Sequence, residues 1–136
     1  SRGLGDVYKR QKVYFSGTQF FNSAPMAAAI ATIKELKNID ATSLMNHHGN
    51  DLKNKMISMA KSYDIDLKVT GVPSMPYFRI ENDDKELHFK WVDKCLAKGI
   101  YMTSYHNHFL SAVHRECEID LIVNLASKAF EEILEV

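Results

Sequence analysis

The sequence predicts an α+β fold, a small and mostly antiparallel sheet covered by helices. Three observations lead there. Two stretches with apolar residues at helical spacing come first, two β-type segments bracketed by prolines follow, and single helices separate and close the remaining extended runs. A chain of 136 residues is one domain by size and can bury roughly two thirds of its unfolded surface.

The first helix is expected from Asn22 or Ser23 as N-cap, with Pro25 in the first turn, to about Lys37. Met26, Ile30, Ile33 and Leu36 or Lys37 recur at helical spacing, and the alanines between them permit close approach by another element. Asn38-Ile39-Asp40 ends it. A second helix starts at Ala41 or Thr42, with Leu44, His48, Leu52, Met56, Met59 and Tyr63 in one stripe. Gly49 interrupts that stripe at a cost of ~1 kcal/mol against alanine in a helix interior.

Residues 66–72 alternate Leu67, Val69 and Gly71 against Lys68 and Thr70, a strand pattern. Pro73 and Pro76 bracket a turn, and Tyr77–Ile80 is the second strand. Residues 81–84 form a polar loop. A helix over 85–98 presents Leu87, Phe89, Trp91, Val92, Cys95 and Leu96, with Gly99 as its C-cap. Residues 100–103 and 109–112 are expected as short third and fourth strands. The last helix, 116–134, carries the stripe Ile119, Ile122, Ala126, Ala129, Phe130 and Ile133, with Glu116 and Glu118 in its first turn.

Composition narrows the functional classes. Seventeen basic and seventeen acidic residues cancel, which offers neither a nucleic-acid groove nor an anionic membrane a partner. No apolar run reaches the ~18 residues of a membrane span. Cys95 and Cys117 are too few for a disulfide scaffold and suit packed thiols in a reducing, cytoplasmic setting. Residues 1–11 have no apolar period and resemble a translated sequencing-adaptor stretch, so they are expected to be a non-native leader.

Two blocks carry chemistry. Ser16-Gly17-Thr18 is a tight turn with a glycine for close backbone approach and a hydroxyl beside it, suited to an anion. His106-Asn107-His108 is a polar loop between the two expected short strands. With His114 it makes no zinc pattern, since no cysteine or carboxylate spacing accompanies it. His-Asn-His also resembles the name of a nuclease motif, but that motif scatters its residues through a metal-binding finger. His47 and His48 divide between water and the helix stripe, and His88 belongs to the face or edge of its helix. Arg79 could grip a carboxylate, although a solvent-facing strand arginine is the simpler account.

The stretch Ser16–Ala29 resembles the segment "G-T-x-x-x-N-P-x-x-M-A-A" of class III pyridoxal-phosphate aminotransferases, in the branch of glutamate-1-semialdehyde aminomutase. Gly17, Thr18, Asn22, Met26, Ala27 and Ala28 match, while Phe21 and Ser23 stand where that branch usually has glycine and proline. Gly99-Ile100-Tyr101 with His106–His114 resembles "rGiy…HNHFlSaaH" of a subset of the same class. The resemblance covers residues 13–136 and implies the C-terminal domain of a fold-type-I pyridoxal-phosphate enzyme, with residues 12–38 as phosphate turn and linking helix and 39–136 as the small domain.

It further implies a homodimer in which Gly17 and Thr18 hold the cofactor phosphate across the interface. His106, Asn107 and His108 would lie near the mouth of the substrate pocket, for small amino and oxo substrates. The Schiff-base lysine of that class precedes the Gly-Thr turn. Here only Lys9 and Lys12 do so, outside any Gly-rich setting, so no catalytic residue is expected in this chain. Phe20 and Phe21, two aromatics in a turn, are expected at a partner chain. The rival from another class is a non-enzymatic α+β interaction module with 16–21 as a partner-binding loop.

Overall fold

The structure, a computed structural model, describes residues 22–81 and 85–135. The leader, the Gly17-Thr18 turn and the Phe20-Phe21 pair lie outside the described residues, as does most of the 81–84 loop. The chain divides into two compact units, 1–37 and 38–136.

In the first unit, helix α1 (Ser23–Asn38) is capped by Asn22, whose Oδ1 accepts the Ala24 N–H at 3.1 Å. Met26, Ile30, Ile33 and Leu36 form its apolar stripe, and none of its residues is buried.

The second unit begins with helix α2 (Ala41–Ser62). It ends in a double main-chain lock. The Ile65 N–H reaches Ala60 O at 3.0 Å and the Asp64 N–H reaches Lys61 O at 3.1 Å, with Asp64 in the left-handed region at φ 57°. The lock feeds strand β1 (Leu67–Thr70), which pairs antiparallel with β2 (Tyr77–Ile80) in the register Leu67–Ile80 and Val69–Phe78. These four side chains share the inner face, because a strand alternates sides with a period of two. Lys68 and Arg79 face outward.

Helix α3 (Lys85–Ala97) lies on β2 and α2 lies on β1, while α4 (Glu116–Leu134) packs against both α2 and α3. The core sits between these layers. Trp91 and Phe130, both fully buried, stack with ring centroids 4.9 Å apart and planes 5° from parallel. The Trp91 indole N–H donates to the Ala126 carbonyl at 3.3 Å, which satisfies its one polar atom. Lys55, held by Asp51 of its own helix at 2.7 Å, ties α2 to α4 through Asp120 at 2.7 Å, and Lys94 and Lys98 tie the end of α3 to Glu132 of α4. Arg115 leads into α4, its N–H donating to the Glu118 carboxylate at 2.9 Å, so the first turn is closed from below.

The expected third and fourth strands are absent among the described residues: 100–103 and 109–112 are irregular. The reason lies in where their amides go. The Ile100 N–H is used in the C-cap of α3 and the Thr103 N–H donates to a histidine ring, so neither remains for a ladder. Across from 108–110 the facing segment is Ser74-Met75-Pro76. It accepts from His108 N–H at 2.7 Å and from Leu110 N–H at 3.0 Å, but Pro76 has no N–H to return. Three further expectations fail. Phe89 and Leu96 are exposed, off the buried face set by His88, Trp91, Val92 and Cys95, and Cys117 is exposed where a packed thiol was expected.

Candidate functional site

The loop that carries His106-Asn107-His108 begins at Gly99. There the chain takes φ +89°, and Gly99 N–H to Leu96 O (3.0 Å) with Ile100 N–H to Cys95 O (2.9 Å) close the end of α3. Met102 and Leu110, both buried, anchor the loop at its two ends in the core. Between those anchors the side chains of Tyr77, His88 and His108 grip its main chain, and Thr103 Oγ1 donates to the His106 carbonyl at 3.3 Å. The Tyr77 hydroxyl donates to Ser104 O at 2.8 Å, and His88 Nε2 donates to the same carbonyl at 3.2 Å. His108 spans the loop's base: its Nε2 accepts the Thr103 N–H and its Nδ1 donates to Pro76 O, each at 3.2 Å.

These grips turn the middle of the loop outward. Tyr105 is 84% exposed, His106 is exposed and Asn107 is half-buried. His106 Nδ1 donates to the Asn107 carbonyl at 2.8 Å, which leaves Nε2 as the ring nitrogen not engaged by that carbonyl. Of the three predicted substrate residues, His106 is the exposed one and Asn107 is half-buried. His108 is turned inward, 5.6 Å from the Phe78 ring, with both nitrogens occupied by main-chain groups. Burial pushes the His108 and His88 imidazoles below their ordinary values, because a charged ring would lose its hydration. His88 was predicted only as a face or edge residue; its signal was its i, i+3, i+7 register with Trp91 and Cys95.

Beneath the loop lies a cavity of about 370 Å³, walled by Phe78, Ile100, Met102, Phe109, Ile119 and Ile122. His108, His114 and Glu118 also line it, and among the described residues no lysine does. His114 Nδ1 accepts the Ser111 N–H at 2.9 Å, which fixes the turn into α4. Glu118 is held well below the usual carboxylate range, at about 2, by the hydrogen-bonded guanidinium of Arg115. Gly17 and Thr18, expected at a phosphate, lie outside the described residues.

No protein-family profile matches the chain. The fold itself recurs in pyridoxal-phosphate transaminases. It superimposes at a TM-score of 0.86 and 28% identity on the FumI protein of Sphingopyxis sp. MTA144, solved in its PLP internal aldimine form, over 92% of this chain and 30% of that one. A transaminase solved with PLP bound gives a TM-score of 0.75 at 19% identity, over 90% of this chain and 30% of the other.

The relatives by sequence are of the same class. The aminopentol aminotransferase of Sphingopyxis macrogoltabida is 28% identical over 123 residues, 90% of this chain and 29% of the relative. The glutamate-1-semialdehyde 2,1-aminomutase of Opitutus terrae is 27% identical over 134 residues, 89% of this chain and 32% of the relative. This chain is homologous to part of the pyridoxal-phosphate aminotransferases and glutamate-1-semialdehyde aminomutases, and it spans just under a third of the length of either relative.

Proposed function

We propose that the chain is part of a homodimeric, cytoplasmic pyridoxal-phosphate enzyme that moves an amino group between amino and oxo substrates, by transamination or by an aminomutase shift. The observation that carries this reading is the superposition at TM-score 0.86 and 28% identity on a pyridoxal-phosphate protein. When bound, the cofactor supplies the electron sink that makes such a transfer possible. The chain's own residues bind and orient. Gly17 and Thr18 would hold the cofactor phosphate, Thr18 at the site of the other subunit. The exposed His106 ring and the Asn107 amide meet the substrate's polar groups, and His108 holds the loop that presents them. The lysine that bonds the cofactor is supplied by polypeptide outside these 136 residues.

The test is made in the full-length parent enzyme. A hydrogen bond to a charged group contributes ~1.5–3 kcal/mol, so Thr18→Ala raises the cofactor Kd about tenfold to a hundredfold. His106→Ala and Asn107→Ala lower kcat/KM at unchanged cofactor affinity. An unchanged cofactor Kd in Thr18→Ala refutes the phosphate role. The 136-residue chain by itself is expected to show neither transaminase activity nor cofactor absorbance, and detection of either overturns the view that the lysine lies elsewhere.

A further inference from the structure

The loop over 103–108 is fastened by two histidines whose four ring nitrogens are all committed, and committed in opposite senses. His88 accepts from the Ile80 N–H on Nδ1 at 3.5 Å and donates from Nε2 to Ser104 O at 3.2 Å. His108 donates from Nδ1 to Pro76 O and accepts from the Thr103 N–H on Nε2. A carbonyl only accepts and an amide N–H only donates, so each ring must be neutral, His88 as the Nε2–H tautomer and His108 as the Nδ1–H tautomer. A proton added to either ring, His88 buried and His108 half-buried, puts an N–H against an N–H, an arrangement that loses a bond and leaves a donor unsatisfied.

We propose that His88 and His108 form a proton-sensitive clasp: neutral, they close the 103–108 loop against β2 and the 74–76 turn, and protonation of His108 releases its base. The bond from the Tyr77 hydroxyl to Ser104 O involves neither histidine ring and persists as the hinge. The inference concerns the loop's own bonds and stands independently of any substrate contact at 106–107.

The charged and titratable groups bearing on the pair are few among the described residues. Arg79 of β2 bears on His88, and His106 of the same loop and His88 bear on His108. These charges disfavour a further positive charge. His114 and Glu118 share the cavity wall with His108, the carboxylate being engaged by Arg115. Burial adds in the same direction and is the larger cause for both rings. Both folded values therefore lie below the unfolded one near 6.5, and the unfolded chain takes up protons first. The stability the clasp confers is complete above that value and falls away as the pH drops below it through the folded values.

The experiment is a pH titration of the ¹⁵N-labelled 136-residue chain by NMR, reading ring tautomers and amide exchange corrected for intrinsic rates. At pH 8 the two rings are expected to be opposite tautomers, as above. As His108 takes its proton, exchange at the Thr103 amide rises at least tenfold while the Ala126 amide in α4 keeps its protection. His108→Gln keeps an acceptor near Thr103 and cannot be protonated, so the acid response at Thr103 disappears. Identical tautomers, a protected Thr103 amide throughout the His108 titration, or an unaltered acid response in His108→Gln each overturn the clasp. The wild-type measurements decide the matter even if that variant does not fold.

Discussion

Gly49 sits inside α2, where glycine costs ~1 kcal/mol against alanine, so a helix-propensity argument alone makes Gly49→Ala stabilising. The structure reverses the sign. A Cβ on Gly49 would stand 1.9 Å from the Pro73 carbonyl oxygen and 2.3 Å from its carbon, whereas non-bonded carbon atoms prefer about 3.5–4.0 Å. Both sides of that contact are main chain, so no rotamer change relieves it, and helix and turn must separate. Overpacking costs about 1–3 kcal/mol, and a main-chain clash at 1.9 Å lies at the top of that range, which leaves a net loss of about 2 kcal/mol after the propensity gain. At this chain length that corresponds to a Tm lower by about 4–8 °C. Thermal unfolding followed by circular dichroism reads it directly. Asn50→Ala, at the exposed next position, is the control and is expected to gain a few tenths of a kcal/mol. A Gly49→Ala chain that melts at or above the wild-type temperature refutes the close-approach argument.

Trp91→Ala removes the ring stacked on Phe130 and is expected to cost about 3–5 kcal/mol in urea unfolding; a loss below about 1 kcal/mol contradicts the placement of the core. The two cysteines are expected to separate by reactivity. Burial pushes the Cys95 thiol up to about 12, whereas Cys117 is exposed, so a thiol reagent at pH 8 labels Cys117 in the native chain and reaches Cys95 only on unfolding. Equal labelling rates contradict that assignment.

Much of the fold was legible because helices and short hairpins are written locally. The expected ranges for α1, α2, α3 and α4 agree with those observed to within a residue or so, and Tyr77–Ile80 coincides with β2. The buried stripe of α4 follows directly from its 3.6-residue spacing. The loop at 100–112 was not legible for a long-range reason. Its residues have strand-like composition, but whether they ladder depends on a partner, and the partner is a turn containing proline. The orientation of His108 was hidden for the same reason, since its acceptor Pro76 lies 32 residues away. Asp64, which ends α2 in the left-handed region, carries only a weak signal, because aspartate adopts it less readily than glycine. Gly49 was read as a local weakness, and its use emerges only against Pro73.

The outer rim of the 99–110 loop is secured almost wholly through carbonyls and amides of the polypeptide itself: Ser74 O, Pro76 O and Ser104 O accept, and Thr103 N–H donates. Such fastenings are blind to side-chain identity. Positions 104 to 107 can therefore diversify in size, charge and aromaticity without disturbing the scaffold, provided His88, His108 and Tyr77 remain beneath them. On the substrate role proposed for this loop, a change of preference demands replacement of a few of its exposed residues and no redesign of the helices that carry them.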